Sequence, residues 1–392
     1  MDIFFSLLII AAAWFLIYII CFALKLDKRF NWTFGPLFLL MRTKKFNSFI
    51  KRVAKKYANF WRIIGNISII TGFICMFISL GLFLYTLIDF FLPDPVVTGE
   101  GAAVGLIIPG VTISFKTFLY LIIPLILTMI PHELAHGVVA HADGVELKST
   151  GLVFFAVFFG AFVEPKEEDL MESSAHTKMR TFAAGIFPNL ILGLLTIPLV
   201  VFSAQILSPF YHPADGVLVI EAVDDSPATD SGIARGTVML DINNTHLSNA
   251  QDFSNYMQQT QPDELIIVNT TNELLTIRLA SHPNNNSIGY LGVRTINYQE
   301  PKSAFPGKFF PYMYSQQVMW LMVIAFGAVL LNAIPVPMLL DGDKLLSSFL
   351  TSYIPNKRTA IIIQDIFRFT AIFLFITNLI LPIVRNGFMR IG

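Results

Sequence analysis

The sequence predicts an α-helical multi-pass membrane protein of about six transmembrane helices, with a small α+β module inserted between two of them. Three observations carry this prediction. Of 392 residues, 54% are hydrophobic and only 14% are charged, against roughly 25% charged in an average soluble protein. Six apolar runs read as spans on hydropathy. One internal stretch, residues 215–295, switches abruptly to polar, alternating sequence. Lys+Arg 27 balances Asp+Glu 27, so there is no net basic field to recruit nucleic acid, and none is expected as a partner. Cys21 and Cys75 both lie in apolar runs, which excludes a disulfide framework and a cysteine metal site. Any metal must be held by histidine and carboxylate.

Residues 3–24 are uncharged and apolar, about the length that spans a hydrocarbon core of roughly 30 Å. No basic residue precedes them and no small-residue cleavage site follows, so the run is expected to be a retained anchor. Residues 25–62 carry eleven Lys/Arg against the single acid Asp27, which by the positive-inside rule places this loop in the cytoplasm. Within it, residues 46–61 alternate apolar and basic positions at helical spacing. That pattern suits a helix lying on an anionic leaflet, and equally a solvated basic helix.

The second span is 63–92, leaving 93–115 outside. The third, 117–142, runs inward; the fourth, 180–207, returns outward and puts 211–310 on the outer face. The fifth, 317–340, runs inward again and the last, 370–384, outward. The chain then divides into an N-terminal membrane region (1–116), a first part of the membrane core (117–210), the outer module (213–297), a second part of the core (314–348) and a C-terminal span (349–392). A multi-pass protein of the cell membrane, surrounded by lipid bilayer, is expected.

Residues 151–163 (GLVFFAVFFGAFV) are very apolar but too short to cross as a helix. Their β-branched and aromatic content predicts a re-entrant strand or hairpin, with an interfacial loop as the alternative; in lipid such backbone needs protein partners. Residues 215–295 contain the strand-like runs GVLVIEAV, ELIIVN and LLTIRL, the mark of a soluble α+β module. Asn-x-Ser/Thr triplets at Asn243, Asn269 and Asn285 agree with an outer location.

The third span contains His132-Glu133-Leu134-Ala135-His136. Positions four apart on a helix differ by 40°, so both imidazoles point one way and can share one Zn²⁺. Glu133 stands close enough to take a proton from an attacking water. A chance match in a chain of this composition is expected only ~0.003 times, and ionisable groups in an apolar span are costly without a function. A third ligand is required. His141 faces the opposite side of the helix, nearer a capping role. Glu164, Glu167, Glu168 and Glu172 are possible donors. Asp341 ends the fifth span, where Pro335 and Pro337 break the helix; the third and fifth spans enter from the same side, so Asp341 arrives at the depth of the histidines. As bare sequence, Asp341-Gly342 is also an ordinary turn with Asp343 and Lys344 in water.

HELAH in a span, the later Asn332-Ala-Ile-Pro335-Val-Pro337-Met-Leu-Leu-Asp341-Gly342, and an outer module between them resemble the site-2 protease family of intramembrane zinc metalloproteases. The resemblance covers roughly residues 117–348. It implies one Zn²⁺ per chain held by His132, His136 and Asp341, with Glu133 as general base. Gly185-Ile-Phe-Pro188-Asn189 is similar to the family's Gly...Asn element, which implies that Asn189 and Asn332 border the scissile peptide. Where the family usually has a second Gly after Asp-Gly, this chain has Asp343. The outer module is similar to a PDZ domain in circular arrangement, and Gly289-Tyr290-Leu291-Gly292 resembles its carboxylate-binding loop, with Gly292 against the peptide.

The expected activity is therefore cleavage, near the cytoplasmic side, of a transmembrane helix of a single-span membrane protein. The substrate unwinds and pairs with the free edge of the 151–163 strand, beside Phe155 and Val157. Two other readings are weighed. A membrane HExxH peptidase of the prenyl-protein type would use Glu164 or Glu168 as third ligand, but leaves the module and Asp341 unexplained. An inactive PDZ-containing adaptor would leave no reason to keep two histidines and a glutamate in lipid.

Overall fold

The computed structural model describes residues 3–30, 32–92, 112–155 and 158–386. Most of the expected outer loop 93–115, and Val157, lie outside the described residues. The contacts divide the chain into two compact units, Met1–Ile197 with Met319–Gly392, and Pro198–Val318.

Each of the six apolar runs contains helix. Among the described residues, five helical segments are long and apolar enough to cross a membrane: Ala58–Phe90, Phe115–Ala142, Ala175–Val201 (interrupted at residues 184–185), Phe310–Ala333 and Lys357–Leu381. The first run forms Ile3–Ala23, with the shorter apolar stretch Leu8–Ala23. Helix Ala58–Phe90 buries Gly65, Ser68, Gly72, Cys75 and Ser79. This stripe of small residues at three- and four-residue spacing lets neighbouring helices approach closely. Cys75 and Met76 pack with Ile186, Val329, Ala333 and Leu346 in one core cluster. Large side chains such as Ile70, Phe77 and Leu119 stay exposed on the outer faces, a surface suited to lipid.

Several span boundaries differ from the sequence expectation, and two of the differences have a local cause. The fifth helix stops at Ala333 and not at residue 340, because Pro335 and Pro337 cannot continue it; Asp341 instead opens a separate helix, Asp341–Tyr353. The last helix begins at Lys357 and runs to Asn386, well before residue 370. Hydropathy stops short there because it counts Arg368 as an isolated charge. Its Nε and NH2 groups donate to the two oxygens of Asp343 at 2.6 and 2.8 Å, and a paired charge is tolerated between packed helices.

Residues 46–61 are mostly helical, as their spacing predicts. Helix Asn47–Lys56 turns Ile50 and Ala54 into a core with Val138, Ala142 and Leu147. Protein covers Ile50 and Ala54, while Phe46, Phe49, Tyr57 and Phe60 stay exposed together with Arg52, Lys55 and Lys56, so one side of the stretch packs on the core and the other keeps both apolar and basic side chains outside.

The expected hairpin strands are present and extend further than residues 151–163. A four-stranded antiparallel sheet has the order β1 (Thr33–Phe34), β2 (Phe38–Thr43), β3 (Leu147–Phe155), β4 (Phe158–Pro165). β2 pairs in register with β3 from Phe38 opposite Phe155 to Thr43 opposite Thr150. The sequence conceals β2 because FLLMRT sits inside the charge-rich loop. Its consequence is that β3 has neighbours on both sides, so Phe155 is not on the open edge expected of it. That edge belongs to β4.

The second unit is built on a sheet of order β12-β5-β6-β8-β9, with β7 paired to β6. Its strands are β5 (Tyr211–Ala222), β6 (Val238–Ile242), β7 (Thr245–His246), β8 (Leu265–Thr270) and β9 (Leu274–Arg278). β10 (Ala280–His282) and β11 (Asn285–Tyr290) form a hairpin, and β12 is Val293–Pro301. β8 alternates as its sequence does: Ile266 and Val268 face the core, Leu265 and Ile267 face out. Val217, Val219, Met239, Leu247 and Ile277 complete that core. Helix Ala250–Met257 is capped by Asn249, whose side chain accepts from the N–H groups of Gln251 and Asp252, and it buries Phe253 and Met257.

Candidate metal centre

Helix Phe115–Ala142 places His132 and His136 one turn apart, both buried. Asp341, at the first turn of its own short helix, faces them. The Asp341 Oδ2 lies 3.2 Å from His132 Nε2 and 3.1 Å from His136 Nε2, and the two Nε2 atoms are 3.2 Å apart. Tetrahedral zinc with bonds of about 2.0–2.1 Å separates any two donors by roughly 3.3 Å, so this triangle has the size of three zinc ligands. Among the described residues it is the cluster of three His, Cys or carboxylate side chains that can hold a metal ion.

The surroundings fix the ligands. His136 Nδ1 donates to the Thr181 carbonyl at 2.6 Å, which sets the tautomer and leaves the Nε2 lone pair for a metal. Thr181 can accept because it lies in the last turn of helix Ala175–Ala183, where its carbonyl has only the long 3.4 Å bond from the Ala184 N–H. His132 Nδ1 is 3.0 Å from Asn189 Nδ2, and Asn189 Oδ1 is buried without a partner. With a metal on Nε2, Nδ1 carries the proton, and a half-turn of the Asn189 amide gives that orphaned oxygen its donor. The donor set and the orphaned atom both fit a bound zinc.

Two close approaches explain why the local sequence is as it is. A Cβ on Gly185 would lie 2.5 Å from His132 Cε1 and from His136 Nε2, so the break between helices Ala175–Ala183 and Ile186–Val201 is shaped around the two rings. A Cβ on Gly342 would lie 2.0 Å from the Ala333 carbonyl oxygen. Only glycine lets the Asp341 helix start against the end of Phe310–Ala333. Asp343, at the position where the resemblance leads one to expect another glycine, is buried and held by Arg368. It ties the ligand-bearing helix to the C-terminal one.

The triad opens on a cavity of about 440 Å³ whose wall includes Glu133, Asn332, Val163, Glu164 and Lys344. Glu133 Oε2 accepts from the Val163 N–H at 3.1 Å. Asn332 lines the cavity beside the triad. Asn189 reaches His132 and so orients a ligand. Glu164 shares the cavity, but its oxygens accept from Lys148 Nζ at 2.7 Å and Ser149 Oγ at 2.6 Å. Glu168 lies 3.8 Å from Lys166 Nζ. Neither glutamate belongs to the metal-sized cluster, which favours Asp341. His141 is spent on the helix end, with Nδ1 3.1 Å from the Val145 carbonyl. Gly292, in the second unit, has φ +85° and fits against Ser226, where a Cβ would meet Ser226 Cβ at 2.3 Å. It lines a groove of about 430 Å³ with Phe253, Met257, Leu291 and Val293. Thr181 and Arg368 were silent in the sequence, since a carbonyl acceptor and a distant ion-pair partner leave no motif.

An HExxH turn of one helix and an aspartate from a separate helix thus form one group that could hold a metal ion. The chain belongs to peptidase family M50, the site-2 protease family, whose model matches residues 120–376. That membership places it among site-2-protease-like intramembrane metalloproteases, a zinc-dependent family. It is 26% identical over 326 residues to an uncharacterised protein of Methanocaldococcus jannaschii, covering 81% of this chain and 79% of that one. It is 24% identical over 119 residues to a membrane-bound transcription factor site-2 protease homolog of Arabidopsis thaliana, covering 30% of this chain and 23% of that protein. Among solved structures, the PDZ domain of an SdrC-like protein from Listeria monocytogenes matches at 22% identity with a TM-score of 0.19, covering 21% of this chain and 87% of that one.

Proposed function

We propose that the protein is an intramembrane zinc endopeptidase that cuts a transmembrane segment of single-span membrane proteins near the cytoplasmic side, with the PDZ-like module on the outer side. The observation that carries this is the triangle of two buried histidines, His132 and His136, with the partly exposed Asp341, 3.1–3.2 Å on each side, and Glu133 on the wall of the same cavity. His132, His136 and Asp341 hold one zinc ion, which when bound supplies a Lewis acid to the peptide carbonyl. Glu133 takes the proton of the attacking water and delivers it to the leaving amine. Asn189 holds the His132 ring in place, and Asn332 offers its amide to the substrate backbone from the cavity wall. Helix-bound peptide carbonyls are sheathed by their own hydrogen bonds, so the substrate unwinds and adds as a strand beside β4. The eleven basic residues between Lys25 and Arg62 support the cytoplasmic assignment.

The test is incubation of the purified protein with a single-span substrate in bilayers. Cleavage should appear, stop with a zinc chelator and return on zinc addition. Cleavage indifferent to the chelator would refute the reading.

A further inference from the structure

A strand at a sheet edge presents N–H groups that must find acceptors, above all in apolar surroundings. β4 is such an edge. Its outward N–H groups at Ala161 and Val163 meet two side chains from one stripe of the HELAH helix. The Ala161 N–H donates to Met129 Sδ at 2.8 Å and the Val163 N–H to Glu133 Oε2 at 3.1 Å. The stripe continues one turn further to Gly137, where a Cβ would lie 2.5 Å from Val163 Cγ1. Helix and strand are therefore seated closely along three turns. The edge offered to a substrate strand is already occupied, and one occupant is the general base.

We infer that the Val163 N–H is a shared donor and a substrate-positioning group. Glu133 accepts from it at rest, and a carbonyl of the unwound substrate accepts from it when the substrate adds beside β4. The inference rests on the proteolytic reading above and adds how substrate and base are coupled. One N–H makes one strong hydrogen bond at a time. Strand addition therefore withdraws the Val163 bond from Glu133 and releases Oε2 toward the cavity as the scissile backbone arrives. The Met129 thioether is a weak acceptor, so a substrate carbonyl displaces it from the Ala161 N–H readily. A substrate that stays helical has its carbonyls engaged and cannot make the exchange. The contact thus selects unwound backbone.

The experiment measures binding of a labelled single-span substrate to the full-length, zinc-loaded variants Glu133→Gln and Glu133→Ala. Both are neutral and neither has a general base, but glutamine keeps an oxygen that can accept from Val163 and alanine does not. The alanine variant should bind roughly tenfold more tightly, the worth of one competing hydrogen bond. Adding Val163→Pro should remove the gain, since proline lacks the N–H yet is tolerated on an edge strand where that N–H points outward. Adding Val163→Ala should preserve it. Equal affinities of the two Glu133 variants, or a gain that survives Val163→Pro, would overturn the exchange. Failure of the unsubstituted protein to cleave the same substrate would overturn the proteolytic reading, and this inference with it.

Discussion

The four-stranded sheet of the first unit and the larger sheet of the second treat one edge each in opposite ways. In the first unit, the outward N–H groups of Ala161 and Val163 on β4 are taken by Met129 and Glu133 of the HELAH helix. In the second unit, edge strand β12 borders a groove of about 430 Å³ beside helix Ala250–Met257. The difference follows from solvent. A strand among apolar helices has no water to satisfy its backbone, so protein must cover it; a polar module can leave a groove beside its edge. The covered edge is the one tied to chemistry, and the open one has no side chain of the metal centre near it in its own unit.

Substitutions separate the two regions by what they do to metal and to turnover. The largest effect belongs to Glu133→Gln, which should keep full zinc and lower cleavage by about 10²–10⁴-fold, the usual contribution of a general base. Metal content and turnover on the same preparation check it. Normal turnover would remove Glu133 from its role. Next come two glycines that look alike and should act differently. Gly342→Ala sets a Cβ 2.0 Å from the Ala333 carbonyl, an overpacking cost of about 1–3 kcal/mol or more, and should displace Asp341 and lower zinc content. Gly292→Ala is as crowded, and its φ of +85° adds strain. It should destabilise only the second unit and leave zinc unchanged. Equal zinc loss in both would show that the two regions are not independent.

Arg368→Ala comes third. It leaves the buried Asp343 carboxylate without its partner, a change costing about 3 kcal/mol, read as a drop in thermal midpoint. Asp343→Ala combined with Arg368→Ala should cost less than Arg368→Ala alone. The smallest effect lies in the second unit, where His246 hydrogen-bonds Asp241 at 3.1 Å and Asp215 at 2.8 Å. Those bonds hold its pKa above the ordinary value. The sign follows: the stabilisation is complete below the unfolded value of about 6.5 and fades as pH rises through the folded one. An NMR titration of His246 should show a midpoint above 6.5 that falls back with Asp215→Asn and Asp241→Asn.

How much of this was readable from sequence depended on whether a feature is local. His132, Glu133 and His136 are one helical turn and announce themselves by spacing. The hairpin around residues 151–163 is visible as an apolar run too short to be a helical span. Asp341 was one of several possible third ligands until the resemblance was drawn, because its partners are more than 200 residues away and only folding brings them to 3.1–3.2 Å. β2 was hidden by the charges around it, and Arg368 by the assumption that a charge ends a span. The covered edge of β4 could not be read at all, since it depends on the packing of a strand against the helix stripe Met129, Glu133 and Gly137.

Zinc content measured on purified Asp341→Ala, Glu164→Ala and Glu168→Ala tests the His/His/Asp centre most directly. Two imidazoles alone make a poor site, so Asp341→Ala should lose most of its zinc and all measurable cleavage, while both glutamate variants keep a full equivalent. Full zinc in Asp341→Ala together with loss in either glutamate variant would contradict the centre described here.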